Sequence, residues 1–60
     1  MSYVVAPNRL QPGDVIEMNH APYVVKYVDA DRNSAYDVGL IDQQGNQRIE
    51  IITEPVTLLA

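Results

Sequence analysis

Val, Ile and Tyr gather in short runs along the 60 residues, and Pro, Gly, Asn and Asp interrupt them. Breaks at about ten-residue intervals are the rhythm of a small all-β domain. No segment carries a sustained helical stripe with a cap at each end. The pattern predicts five strands, over residues 15–18, 23–29, 36–42, 47–52 and 56–59, with a further edge strand over 3–6. Asn19-His20-Ala21-Pro22 is the expected first turn and 30–35 a polar loop. Gln43-Gln44-Gly45-Asn46 is a hairpin loop, with Gly45 expected at positive φ. Pro7 and Pro12 make the intervening stretch a loop.

Within the strands the two-residue alternation assigns faces. Ile49 and Ile51 fall on one side of their strand, with Arg48 and Glu50 on the other. In the longest strand Val24 and Val28 share a face with Lys26 between them, and Tyr23, Val25 and Tyr27 take the opposite face. Both faces of that strand are apolar, which predicts a central, curved strand covered on both sides or a subunit contact. The apolar end Val56-Thr57-Leu58-Leu59-Ala60 is expected to pair with a neighbouring strand, in cis or across a subunit boundary.

Size and composition narrow the picture. The length allows one domain, residues 1–60, and a domain this small buries only about 60% of the surface its unfolded chain exposes. There is no cysteine, so neither a disulfide nor a Cys-based zinc site can stiffen it; a compact barrel or self-association is expected instead. Eight acidic residues against four Lys and Arg give a net charge of −4. That balance disfavours nucleic acid, since each phosphate contact needs a cation, and suits a protein partner. The opening Met1-Ser2-Tyr3-Val4-Val5 has no basic region or long apolar run, so neither a leader nor a membrane span is expected, and position 2 is not the glycine that myristoylation needs. The expected location is cytoplasmic.

The turn-strand Pro12-Gly13-Asp14-Val15-Ile16 and the strand opening Pro22-Tyr23-Val24-Val25 resemble the KOW/SH3-like barrel in the N-terminal domain of bacterial elongation factor P and its eukaryotic counterpart. Tyr36-Asp37-Val38 followed by Gly45-Asn46-Gln47-Arg48 is similar in spacing to that domain's last hairpin. The resemblance covers roughly residues 10–52 and reaches only one of that family's domains. It implies a small five-stranded SH3-like barrel. The family acts through a loop between the second and third barrel strands, where a modified lysine reaches the ribosomal peptidyl-transferase centre. Here that loop is Asp29-Ala30-Asp31-Arg32-Asn33-Ser34-Ala35, short, acidic and without lysine; the nearest, Lys26, lies within a strand. The resemblance therefore carries the fold and not the role in translation.

Few residues offer chemistry. Asp29-x-Asp31-x-Asn33, with Asp37 at the ninth position, matches part of an EF-hand loop, but Ser34 replaces the required glycine and Leu40 the bidentate glutamate. A polar turn capping its own backbone is the expected reading. His20, the only histidine, is expected as an exposed turn residue. The carboxylates are dispersed, and no catalytic, cofactor or metal site is expected. With no Phe or Trp in the chain, the tyrosines are expected to fill the core or an interface; Tyr23 and Tyr27, on one strand face with Lys26 or Arg48 beside them, are also a candidate binding surface, to which Arg32 is added, and stacked bases are its alternative use. Arg9, Lys26, Arg32 and Arg48 are the only cations, and their convergence on one face would favour a nucleic-acid or ribosome-associated module. The expected function is a non-enzymatic binding module engaging a protein or larger assembly, such as a phage or accessory protein on host machinery. Its alternatives are that nucleic-acid module or a self-assembling structural subunit.

Overall fold

The structure, a computed structural model, describes residues 2–30 and 35–59. It is all-β apart from one short 3-10 helix, Pro7–Arg9. Six strands form one antiparallel sheet: β1 Tyr3–Val5, β2 Val15–Met18, β3 Ala21–Ala30, β4 Tyr36–Ile41, β5 Gln47–Ile52 and β6 Val56–Leu58. Their order across the sheet is β1-β6-β2-β3-β4-β5, so β1 and β5 are its edges and the sheet is not closed. The described residues therefore form six strands, the five expected and the edge strand expected near the start.

Turn chemistry sets the path. Pro12 and Gly13 occupy the corners of a β-turn in which the Asp14 N–H donates to the Gln11 carbonyl at 3.1 Å. Gly13 has φ of 98°, a value that glycine adopts without steric cost. The Asp14 carboxylate accepts the Gln11 N–H in return, at 2.9 Å. This turn is tied to β3, because the Gly13 N–H donates to the Val25 carbonyl and the Val25 N–H to the Asp14 carbonyl, both at 2.8 Å.

The β2–β3 connection is tighter than expected. Only Asn19 and His20 form the turn, at φ of 52° and 63°, the two left-handed residues of a type I′ hairpin. Pro22 consequently lies in β3, opposite Glu17, rather than in the turn. A two-residue hairpin makes the Met18–Ala21 pair hydrogen-bonded and the next pair not, so Pro22 owes β2 no donor. Pairing of β3 with β4 begins only at Val24, so the missing N–H leaves no ladder bond unmade.

A β-bulge at Lys26 changes the phase of β3. Val25 pairs with Leu40 and Tyr27 with Gly39, leaving Lys26 without an opposite residue. Tyr23, Val25 and Val28 consequently face the core, while Val24 and Tyr27 face outward. Strict alternation places Tyr23, Val25 and Tyr27 together, and the extra residue overturns that grouping. The core consists of Leu10, Ile16, Val25, Val38, Leu40 and Ile52, with Met18, Tyr23, Val28, Tyr36, Val56 and Leu58 packed around it.

The end of the chain closes the other side. β6 lies between β1 and β2, pairing Leu58 with both Tyr3 and Ile16. The Leu59 N–H also donates to the Val15 carbonyl at 2.7 Å. The apolar end thus pairs in cis. Deleting residues 56–60 should unfold the chain, since β1 loses its only strand partner and β2 one of two; collapse of the amide spectrum to random-coil shifts checks this.

At the β4–β5 hairpin, Asp42 gathers the loop. Its carboxylate accepts the backbone N–H groups of Gln44 at 2.9 Å and Asn46 at 2.8 Å, and Gly45 turns with φ of 86°. The Asn46 N–H holds the Asp42 carboxyl below its ordinary value of 3.8; desolvation opposes it as the next-largest influence, and the Gln44 N–H, the Asn46 side chain and the Gly45 N–H add to the lowering. A depressed folded value means that the unfolded chain binds the proton more tightly. This carboxylate's support is therefore present above pH 3.8 and lost as pH falls through the lower folded value. A carbon-13 titration of Asp42 should show a midpoint below 3.8 in the folded chain, rising to the ordinary value in urea.

Candidate interaction surface

Three rows of residues across β3, β4 and β5 build the outer face: Val24–Ile41–Gln47, Tyr27–Gly39–Ile49 and Asp29–Asp37–Ile51. Ile49 and Ile51 are each 65% exposed, and Val24 is exposed beside them. Alternation in β5 holds as expected, but the side turned toward the core carries Arg48 and Glu50, and the isoleucines face out. Arg48 and Glu50 form an ion pair along the strand's inner side. The Arg48 guanidinium also lies 5.8 Å from the centre of the Tyr23 ring. Charged side chains here cover the rim of the core, as long side chains with apolar stems can. Hydrogen bonding to Glu50, reinforced by its charge, pushes the Arg48 pKa further up.

Tyr27 is placed by glycine. Gly39 lies directly opposite it, and a Cβ built on Gly39 would overlap the ring, 2.7 Å from Cζ. The ring thus covers bare backbone that a strand glycine would otherwise leave exposed. Beside it is a hollow of about 340 Å³ lined by Lys26, Tyr27, Gly39, Leu40, Gln47, Arg48 and Ile49.

Of the residues singled out from the sequence, Lys26, Tyr27 and Arg48 border this one hollow. Arg48 sends its guanidinium the other way, to Glu50 and Tyr23. Tyr23 itself lies on the core side, so the two tyrosines do not form one stacking platform. Arg32 lies outside the described residues, as do Asp31, Asn33 and Ser34 of the EF-hand-like loop. Asp29 and Asp37 lie directly opposite each other across β3 and β4, a like-charge pair that a sheet disfavours. Arg9 lines a separate hollow with Tyr3, Asn8 and Asp14. His20 is exposed in its turn.

Sequence reasoning missed Ile49, Ile51 and Gly39 as surface determinants. Alternation separates two faces without saying which is inside, so nothing in β5 alone identified its outward isoleucines. Gly39 in the middle of an apolar strand was the one available signal, since such a glycine marks a close approach by a neighbour.

No family model, curated protein or solved structure matches the chain. The functional reading therefore rests on this surface.

Gly39→Ala should destabilise the fold by about 1–3 kcal/mol, the range for inserted core volume. In a Tyr27→Ala background the same change should cost much less, which a urea double-mutant cycle measures.

Proposed function

We propose that this chain is a small SH3-like, KOW-like β-barrel domain that acts without catalysis by engaging a protein partner or larger assembly. One observation carries the proposal: Ile49 and Ile51, each 65% exposed, stand on a strand that has a neighbour on one side only. An apolar stripe along an open sheet edge is the arrangement that strand-adding partners use. The barrel is supported by the curl of the sheet. Ile52 of β5 shares a core with Ile16 of β2, and both ends of the link over residues 53–55 line one hollow with Met18. The resemblance to the elongation factor P barrel belongs to this reading as fold alone.

Among the described residues, no three of His, Asp and Glu gather as a metal-binding group would. No helix among them is long and apolar enough to cross a membrane, and a cytoplasmic setting forms part of the proposal. The described cations disfavour nucleic acid. Arg9 and Lys26 line different hollows, Arg48 is paired with Glu50, and the net charge is −4.

The experiment places the photo-crosslinking residue p-benzoylphenylalanine at position 49, and separately at exposed position 17 on β2, in expressing cells. Crosslinks to a discrete protein species from position 49 and not from 17 are expected. Equal capture from both positions, no capture from 49, or capture of nucleic acid would overturn the reading.

A further inference from the structure

The free edge of β5 can be read group by group. The Asp42 N–H donates to the Asn46 carbonyl at 3.0 Å, which makes that pair hydrogen-bonded. The register then runs without a break from Ile41↔Gln47 to Tyr36↔Ile52. Antiparallel ladders alternate bonded and non-bonded pairs, so Arg48, Glu50 and Ile52 spend their backbone groups on β4. The N–H and C=O groups of Gln47, Ile49 and Ile51 point the other way, to the open edge. Natural edges are blunted by proline, bulges or inward charge. β5 has no proline, and its pairing has no bulge; its inward charges, Arg48 and Glu50, neutralise each other as an ion pair rather than standing alone.

We propose that two copies of this chain pair through β5, antiparallel, about a two-fold axis at Ile49. The proposal rests on the reading that the chain works through protein contact, and it names the partner as a second copy. Register selects this axis. An axis at Ile49 sets Ile49 against the partner's Ile49 and Gln47 against the partner's Ile51. These residues carry the free backbone groups, and each such pair exchanges two N–H···O bonds. The same axis sets Arg48 against the partner's Glu50 and Glu50 against the partner's Arg48, complementary charges in both directions. Moving the axis to Glu50 opposes Glu50 to the partner's Glu50; moving it to Arg48 opposes Arg48 to the partner's Arg48. Like charges directly opposite are unfavourable, and either shift also loses bonded pairs. A half-step would align free backbone groups with ones already used by β4. The net charge of −4 per copy opposes association at long range, but it is screened beyond about 8 Å at physiological ionic strength, whereas the opposed pairs are in contact. In the pair, Ile49 leaves water against its own symmetry mate, and the outer row Tyr27–Gly39–Ile49 continues across the axis.

The test is solution mass by light scattering at micromolar and millimolar concentration. The wild-type chain should approach twice 6.7 kDa as concentration rises. R48E puts acids at both charged positions and E50R puts bases at both, so each alone should halve the mass to that of a monomer. An equimolar mixture of the two should return the dimer. Mixing cannot restore the ion pair within a chain, so its recovery reports the contact between chains. Should either variant fail to fold, Ile49→Cys in this cysteine-free chain supplies a second readout. Its thiol should oxidise to a linked dimer, because opposite Cα atoms about 5.5 Å apart lie within disulfide reach, whereas Gln47→Cys should not link. A wild-type mass of 6.7 kDa at every concentration, dimers that survive R48E, a mixture that stays monomeric, or equal linking at positions 47 and 49 would each overturn the proposal. A monomer whose position 49 still crosslinks to a different protein would sink the dimer and leave the protein-binding function standing.

Discussion

The core depends on the change of phase in β3 at Lys26. This ten-residue strand is shared by both halves of the sheet, pairing with β2 along its first part and with β4 along its last. Without the extra residue, Val25 and Val28 would point to opposite faces, and one of them would be lost to the core. With it, Tyr23, Val25 and Val28 all face inward, and Tyr27 is released to the outside. A bulge also bends its strand and increases its twist, which a single sheet requires if it is to fold over its own apolar face. One unpaired residue thus serves packing, curvature and the make-up of the outer surface.

The two hairpins and the Pro12-Gly13 turn hold this bent strand in place. Asp14 and Gly13 bond to Val25 from one side, just before the bulge, so the turn and the bend in the strand are adjacent. On the other side Asp42 organises the return of β4 into β5 by accepting two backbone donors. These contacts close short loops, at little cost in loop entropy. The pairing of β1 with β6 is the long-range step, joining residues near the two ends of the chain.

The elements of this fold were legible because their punctuation is chemical. Pro12-Gly13, Asn19 and Gly45 announce turns through φ values that other residues resist, and β2 and β5 begin and end where the alternation places them. The bulge left no such mark, because Lys26 is an ordinary strand residue and only the register across β4 reveals that it has no partner. Pro22 misled for a related reason: proline is excluded from bonded positions, and whether a position is bonded depends on turn length two residues earlier. The surface was legible in part. Lys26, Tyr27 and Arg48 do border one hollow, but Tyr23, which strict alternation groups with Tyr27, takes the core side, the role that a chain without Phe or Trp asks of its tyrosines. The outward turn of Ile49 and Ile51 follows from the sheet as a whole, with β5 at its edge and Ile52 taking the inward place.

The antiparallel pairing of β1 with β6 has a mechanical consequence. Tyr3 lies opposite Leu58, so the chain segments beyond them leave the sheet at the same end. Tension applied between those two points loads the β1–β6 bonds one after another rather than together. The sheet would open from this corner like a zip, at low force, while the interior ladders of β2, β3 and β4 stayed unstretched. A tether attached there would make a weak link, whereas a load carried along the length of β3 would meet its flanking ladders in shear.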